Sequence, residues 1–173
     1  MPPPVEMTAK PVREVFDRLL NALRRKCADF YGPRLVSLAV YGSVGRGVMN
    51  PDSDIDLLLV VDPLPDGRIK RVEEFAAVEM AMREDLAEAQ AAGIHTELSP
   101  VFKTPREVRI GSPLFLDMVD DARILFDRDG FFREELERLR ARLARLGARR
   151  IWKGNAWIWD LKPDYKWGDE FEI

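Results

Sequence analysis

Apolar and polar positions change their spacing several times along the chain, and each change marks an element. Residues 11–31 carry Val12, Val15, Phe16, Leu19, Leu20 and Leu23 at helical intervals with Arg and Lys between them, which predicts an amphipathic helix. Gly32-Pro33 stops it. Residues 35–41 form a short apolar run with few polar interruptions, as expected of a strand buried on both faces. Residues 42–51 are a glycine-rich turn with room for about two helical turns at most, and residues 55–61 are a second buried strand ended by Pro63-Leu64-Pro65-Asp66-Gly67. From 68 to 92, Ile69, Val72, Phe75, Ala76, Met82 and Leu86 recur every three or four positions and Gly93 closes a long helix.

The period then drops to two. Residues 94–102 begin with Ile94, Thr96 and Leu98 on one face and His95, Glu97 and Ser99 on the other, predicting a third strand. Thr104-Pro105-Arg106-Glu107 has the form of a helix start, with Pro105 at the first helical position and Glu107 placed for a capping box on Thr104. A short helix at 113–119 and a short strand at 122–126 follow. Residues 131–147 are helical, with Leu136, Leu139, Leu143 and Leu146 in a narrow seam that packs against the rest of the domain. Trp152, Trp157 and Trp159 flank Gly154-Asn155, which reads as a hairpin followed by a polar, aromatic tail. The fold class expected is α/β (α+β): a small mixed sheet flanked by helices, with a C-terminal helix and hairpin extension. Residues 1–10 are expected to be a flexible N-terminus, 11–126 the main domain, and 127–173 a C-terminal helix with its aromatic hairpin and tail packed on that domain.

Composition adds exclusions. With 173 residues, 46% hydrophobic and 33% charged, the chain has the makeup of one folded domain. No apolar stretch is long enough for a membrane span and the start lacks the pattern of a signal peptide, so the expected location is cytoplasmic, away from the membrane. Cys27 is the single cysteine, which rules out an internal disulfide and a multi-cysteine zinc site, and its place in a helical pattern predicts a buried, inert thiol. The net charge of −3 gives no global attraction to nucleic acid. Locally, Arg138, Arg140, Arg142, Arg145, Arg149 and Arg150 form a basic surface, read either as a solvated helix or as a dock for RNA or an acidic partner. The tryptophans beside it suit packing, or base stacking as the alternative. Asp117, Asp120 and Asp121 read as a solvated acidic turn.

The chemistry concentrates between the first two strands, in Gly42-Ser43-Val44-Gly45-Arg46-Gly47 and Ser53-Asp54-Ile55-Asp56-Leu57. A triphosphate needs closely approaching N–H donors, and Gly42-Ser43 at a strand end opening a short helix supplies donors and a hydroxyl, with Arg46 one turn on. Metal ions need carboxylates presented together. The period of a strand sends Asp54 and Asp56 to one face with Cα atoms about 7 Å apart, near enough to share two magnesium ions about 4 Å apart. A dinucleotide fold fails on length, because only a few residues separate Gly47 from the next strand. A Walker loop fails for want of a Gly-Lys-Ser/Thr.

These motifs, in this order between strands, resemble the signature of the DNA polymerase beta-like nucleotidyltransferase superfamily, and most of all its minimal prokaryotic branch, over roughly residues 35–102. The resemblance implies a nucleotidyltransferase domain at 11–126 that moves a nucleoside monophosphate, AMP from ATP by default, to an acceptor hydroxyl with release of pyrophosphate. It implies that Gly42, Ser43, Arg46 and Ser53 bind nucleotide and that Asp54, Asp56 and a third carboxylate, Glu97, are the catalytic and metal-binding set for two Mg2+ ions, with Mn2+ the alternative. The family more often shows an aspartate at the third position, and His95 competes with Glu97 as general base. Two further readings follow from the resemblance: an antitoxin-like subunit acting on a helical partner protein of the HEPN type, and a nucleotide-binding module without transfer activity. The acceptor class, whether protein or RNA, is not legible in the residues.

Overall fold

The computed structural model describes residues 9–154 and 156–171, with side chains described from Val12 onward apart from Ala156. Most of the expected flexible N-terminus, and Asn155 of the expected hairpin turn, lie outside the described residues. The elements run α1 (Ala9–Tyr31), β1 (Leu35–Val40), α2 (Gly42–Arg46), β2 (Ile55–Val61), α3 (Arg68–Ala91) and β3 (Leu98–Lys103). They continue as α4 (Pro105–Ile110), α5 (Leu114–Asp121), β4 (Arg123–Asp127), α6 (Phe131–Leu146), β5 (Arg149–Lys153) and β6 (Ala156–Asp160).

Four strands form a mixed sheet in the order β3-β2-β1-β4, and β5 pairs only with β6. β1 is antiparallel to both β2 and β4, whereas β2 and β3 are parallel because the whole of α3 returns the chain between them. The uninterrupted apolar character of β2 has a direct cause: both its faces are covered. Ile55, Leu57, Leu59 and Val61 pack with α1 and α3 in one core, and Leu58 and Val60 pack with α4, α5 and α6 in the other. Asp56 shares the parity of Leu58 and Val60, so it sits where the second core opens to solvent.

The helix ends follow their local chemistry. Thr104 and Glu107 form the expected reciprocal capping box on α4. The start of α6 is held by Asp127, whose carboxylate accepts the Phe132 and Arg133 N–H groups at 2.9 and 3.0 Å. Leu136, Leu139 and Leu143 of the leucine seam are buried against the sheet, so the seam is packing within the chain.

Two expectations are corrected. The third strand begins at Leu98 rather than at 94, because its partner β2 begins at Ile55 and leaves residues 94–97 no ladder to join. Ahead of it the His95 N–H donates to Pro51 C=O at 2.7 Å, and the Glu97 C=O accepts from the N–H of Ile55, the first residue of β2, at 2.9 Å. Nor is the segment around Asp117, Asp120 and Asp121 a solvated turn. It is helix α5, and the Asp121 side chain is only 9% exposed. The arginines read as a basic surface are largely paired: Arg138 with Glu134 and Glu135, Arg149 with Asp160, Arg140 with Asp120, and Arg150 with Asp120 and Asp121. Among the described residues, no helix is long and apolar enough to cross a membrane.

Candidate active site

The site is built at the end of β1. Tyr41 leaves the strand with its N–H bonded to Asp56 C=O at 3.1 Å, and Gly42 turns the chain into α2 at φ +65. A Cβ at Gly42 would collide with Asp56 Oδ2, so glycine here serves both the positive φ and the close approach of the carboxylate. Gly45, one turn on, lies so tightly against Asp121 C=O and Val40 C=O that a Cβ would meet them at 2.5 and 2.9 Å. Gly47 ends α2 in the left-handed region at φ +72. Val48 N–H returns to Ser43 C=O at 3.0 Å, closing the turn.

The connection to β2 is equally fixed. Ser53 is buried; its Oγ accepts from Asn50 N–H and its own N–H donates to Asn50 C=O. Asn50 Oδ1 accepts from Asp52 N–H at 2.8 Å, the bond pattern of an Asx turn. This rigid link delivers Asp54 just before β2 and Asp56 at its second residue. Asp54 Oδ1 accepts the Glu97 N–H at 3.2 Å. The Asp56 carboxyl is pushed up from the usual aspartate range, first by burial and then by the neighbouring Asp54 carboxylate, with Arg46 acting against both. Tyr41 is pushed up as well, by burial and by Asp56.

Geometry therefore brings Gly42, Ser43, Arg46, Asp54 and Asp56 to one end of the sheet. Glu97 is adjacent through its main chain, opposite Asp54 by extension of the parallel register that sets Ser99 opposite Asp56. Its side chain is exposed and lines an open cleft of about 570 Å3 with Asp54, His95, Arg83, Gln90 and Ile94. Among the described residues, no three His, Cys, Asp or Glu side chains converge closely enough to hold a metal ion. The Asp54–Asp56 pair nevertheless fits a divalent cation. It offers hard oxygen donors, and its mutual repulsion is what a cation would relieve. The hydroxyl of Ser53 is engaged in the 50–53 turn, and Ser43 lies in the first turn of α2.

Two residues beside the site, read from the sequence as part of an acidic turn and as a packing or base-stacking tryptophan, are not tied to it there. Asp121 reaches Arg46, with 3.4 Å between Oδ2 and Nη1, and the Trp157 ring lies 5.0 Å from the Arg46 guanidinium carbon. Both come from distant parts of the chain, and no local pattern ties them to the turn.

Comparison with known proteins gives three findings. The sequence model of a family described as nucleotidyltransferase domain matches residues 20–112. A protein of Methanocaldococcus jannaschii named as a protein adenylyltransferase is 29% identical over 135 residues, covering 77% of this chain and 86% of its own. Solved structures similar in outline include a toxin–antitoxin complex with AMP-PNP, at 19% identity and TM-score 0.43, covering 74% of this chain and 92% of that one. Another is a tri-AMPylated HEPN toxin of Shewanella oneidensis with its MNT antitoxin, at 15% identity and TM-score 0.37, covering 76% and 92%.

Proposed function

The chain belongs to the nucleotidyltransferase domain family, and from that premise we propose that it transfers AMP from ATP to a hydroxyl of an acceptor protein, releasing pyrophosphate. The observation that carries this reading is the packing of Asp56 into the space left by the missing side chain of Gly42, which sets the acid pair directly against the turn suited to phosphate. The protein class of acceptor is taken from the relative named as a protein adenylyltransferase.

Each residue has a task in this reading. Gly42 and Ser43 present backbone N–H groups and a hydroxyl to the terminal phosphates at the start of α2. Arg46 supplies a planar cation to the same phosphates. Ser53 supports nucleotide binding by holding the turn that aims Asp54. Asp54 and Asp56 are the ligands for Mg2+, with two ions as the expected number and Mn2+ a substitute. When bound, these ions neutralise triphosphate charge and polarise the α-phosphate. Glu97 accepts the proton of the attacking hydroxyl from the cleft it lines with Asp54, and His95 is the alternative base in that cleft; to serve as a third metal ligand the exposed Glu97 side chain would have to swing in toward Asp54 and Asp56. The acceptor oxygen bonds to the α-phosphorus as the bond to the bridging oxygen of pyrophosphate breaks, with the reactants held in line by the turn on one side and the cleft on the other.

The test is incubation with ATP labelled at the α-phosphate, magnesium and a lysate of the source cell. Label should appear on a protein band, and Asp54→Asn or Asp56→Asn, each folded by circular dichroism, should remove it. Persistence of labelling in either variant would sink the mechanism.

A further inference from the structure

One member of the site is held from the far end of the chain. The Arg46 guanidinium lies over the Trp157 ring of β6 at 5.0 Å and beside Asp121 Oδ2, at the end of α5, at 3.4 Å. A second guanidinium shares both partners: Arg150 of β5 sits 4.7 Å from the Trp157 centroid and 3.3 Å from Asp121 Oδ1. Behind them the indole N–H groups of Trp157 and Trp159 both donate to Asp117 Oδ1, at 2.7 and 3.0 Å. The β5–β6 hairpin, which pairs with no strand of the main sheet, is thus fastened to α5 through a carboxylate at each of two positions. Asp117, Asp121, Arg150 and Trp157 all lie beyond residues 20–112, the part of the chain that the family's sequence model covers.

This arrangement acts on a side chain that would otherwise be mobile. Arg46 ends a five-residue helix, and an arginine left free there must lose its rotamer freedom when it meets a phosphate. Stacking on Trp157 removes much of that freedom before the ligand arrives. Asp121 is the one hydrogen-bond acceptor of Arg46 among the described residues, met at a distance long for a charge-assisted bond. Four of the five guanidinium N–H donors therefore remain for a ligand. Arg150 satisfies the rest of Asp121, so that carboxylate does not depend on Arg46 alone.

We propose that Trp157 and Asp121 are positioning residues of the nucleotide site: the docked C-terminal hairpin holds Arg46 ready for the triphosphate, and triphosphate affinity depends on the hairpin. The inference rests on Arg46 being a phosphate ligand, as read above. It requires no contact between the hairpin and the nucleotide.

Calorimetric titration with Mg-ATP tests it without knowledge of the acceptor. Trp157→Ala should raise Kd roughly three- to tenfold, the range set by the cost of ordering one rotamer-rich side chain on binding. Trp157→Phe, which keeps a ring face and leaves Trp159 on Asp117, should recover most of the affinity. In the Arg46→Ala background, Trp157→Ala should change Kd by less than about twofold, because the two act as one unit. A wild-type Kd in Trp157→Ala beside a weakened Arg46→Ala overturns the inference alone. So does an undiminished Trp157→Ala effect in the Arg46→Ala background, the outcome expected if the tryptophan only stabilises the fold. An unchanged Kd in Arg46→Ala instead removes Arg46 from the phosphate site and takes the inference with it.

Discussion

Three glycines within one turn face three different surroundings, and alanine at each separates strain from function. At Gly47, with φ +72, an added Cβ meets nothing within 4 Å, so Gly47→Ala carries only the cost of a left-handed alanine, about 1 kcal/mol. In a domain of this size that corresponds to a fall in Tm of about 2–4 °C. At Gly42, with φ +65, the same backbone cost applies, and the new methyl collides with Asp56 Oδ2. That carboxylate is the end of a side chain with no hydrogen bond to other described side chains, so it can rotate away at little cost. Gly42→Ala should therefore melt within about 2 °C of Gly47→Ala, while Mg-dependent transfer drops about a hundredfold as the displaced Asp56 loses its metal geometry. Gly45→Ala differs again. Its methyl meets two backbone carbonyls at 2.5 and 2.9 Å that have no rotation to relieve them, so it should be the least stable, by about 3 kcal/mol. Thermal melts and initial rates of labelling on purified variants read both quantities. Gly42→Ala with the transfer rate of Gly47→Ala would refute the link between the glycine and Asp56, and a much lower Tm for Gly42→Ala would show that Asp56 is not free to yield.

The elevated Asp56 pKa has a signed consequence for pH. In metal-free protein the ionised carboxylate is disfavoured by burial and by Asp54, so its cost is fully present above the raised pKa and is relieved as pH falls through it. Asp56→Asn should therefore raise the Tm in EDTA at neutral pH, and on thermal melts the gain should shrink as pH falls through the raised pKa and vanish only below the ordinary aspartate range. Magnesium affinity should run the other way, present above the raised pKa and lost as pH falls through it, in a window above that of an ordinary aspartate. Glu97→Gln should lower the transfer rate by about a hundredfold or more, with Mg-ATP affinity reduced far less in calorimetry, while His95→Gln leaves the rate within about threefold. The reverse ranking would assign the base to His95.

How much of this was legible beforehand depends on whether the cause is local. The strand–turn–strand holding Gly42, Ser43, Asp54 and Asp56 reads off the sequence, because glycine punctuation and strand parity are local properties, and β2 spans Ile55–Val61 as its apolar run indicates. The capping box at Thr104 is legible for the same reason. The start of β3 was not, since it is set by where β2 begins rather than by the alternation at 94–99. Asp121 looks like surface charge in the chain. Its burial is created by Arg46, Arg150 and Gly45, which arrive from remote segments. The arginine content after residue 133 overstated the basic surface, because composition does not reveal that Asp120, Asp121 and Asp160 face those guanidinium groups.

The same-face aspartates also bear on the order in which ligands assemble. With the Asp54 and Asp56 carboxylates side by side and Arg46 shared with Asp121, a bare triphosphate would add to an excess of negative charge at this corner of the sheet. Cation and nucleotide must then favour each other's binding, and by thermodynamic reciprocity each raises the affinity of the other by the same factor. On the proposed function, such a corner would admit the metal complex of the nucleotide in preference to the free anion, so that the supply of divalent cation would act as a selector of substrate before any bond is made.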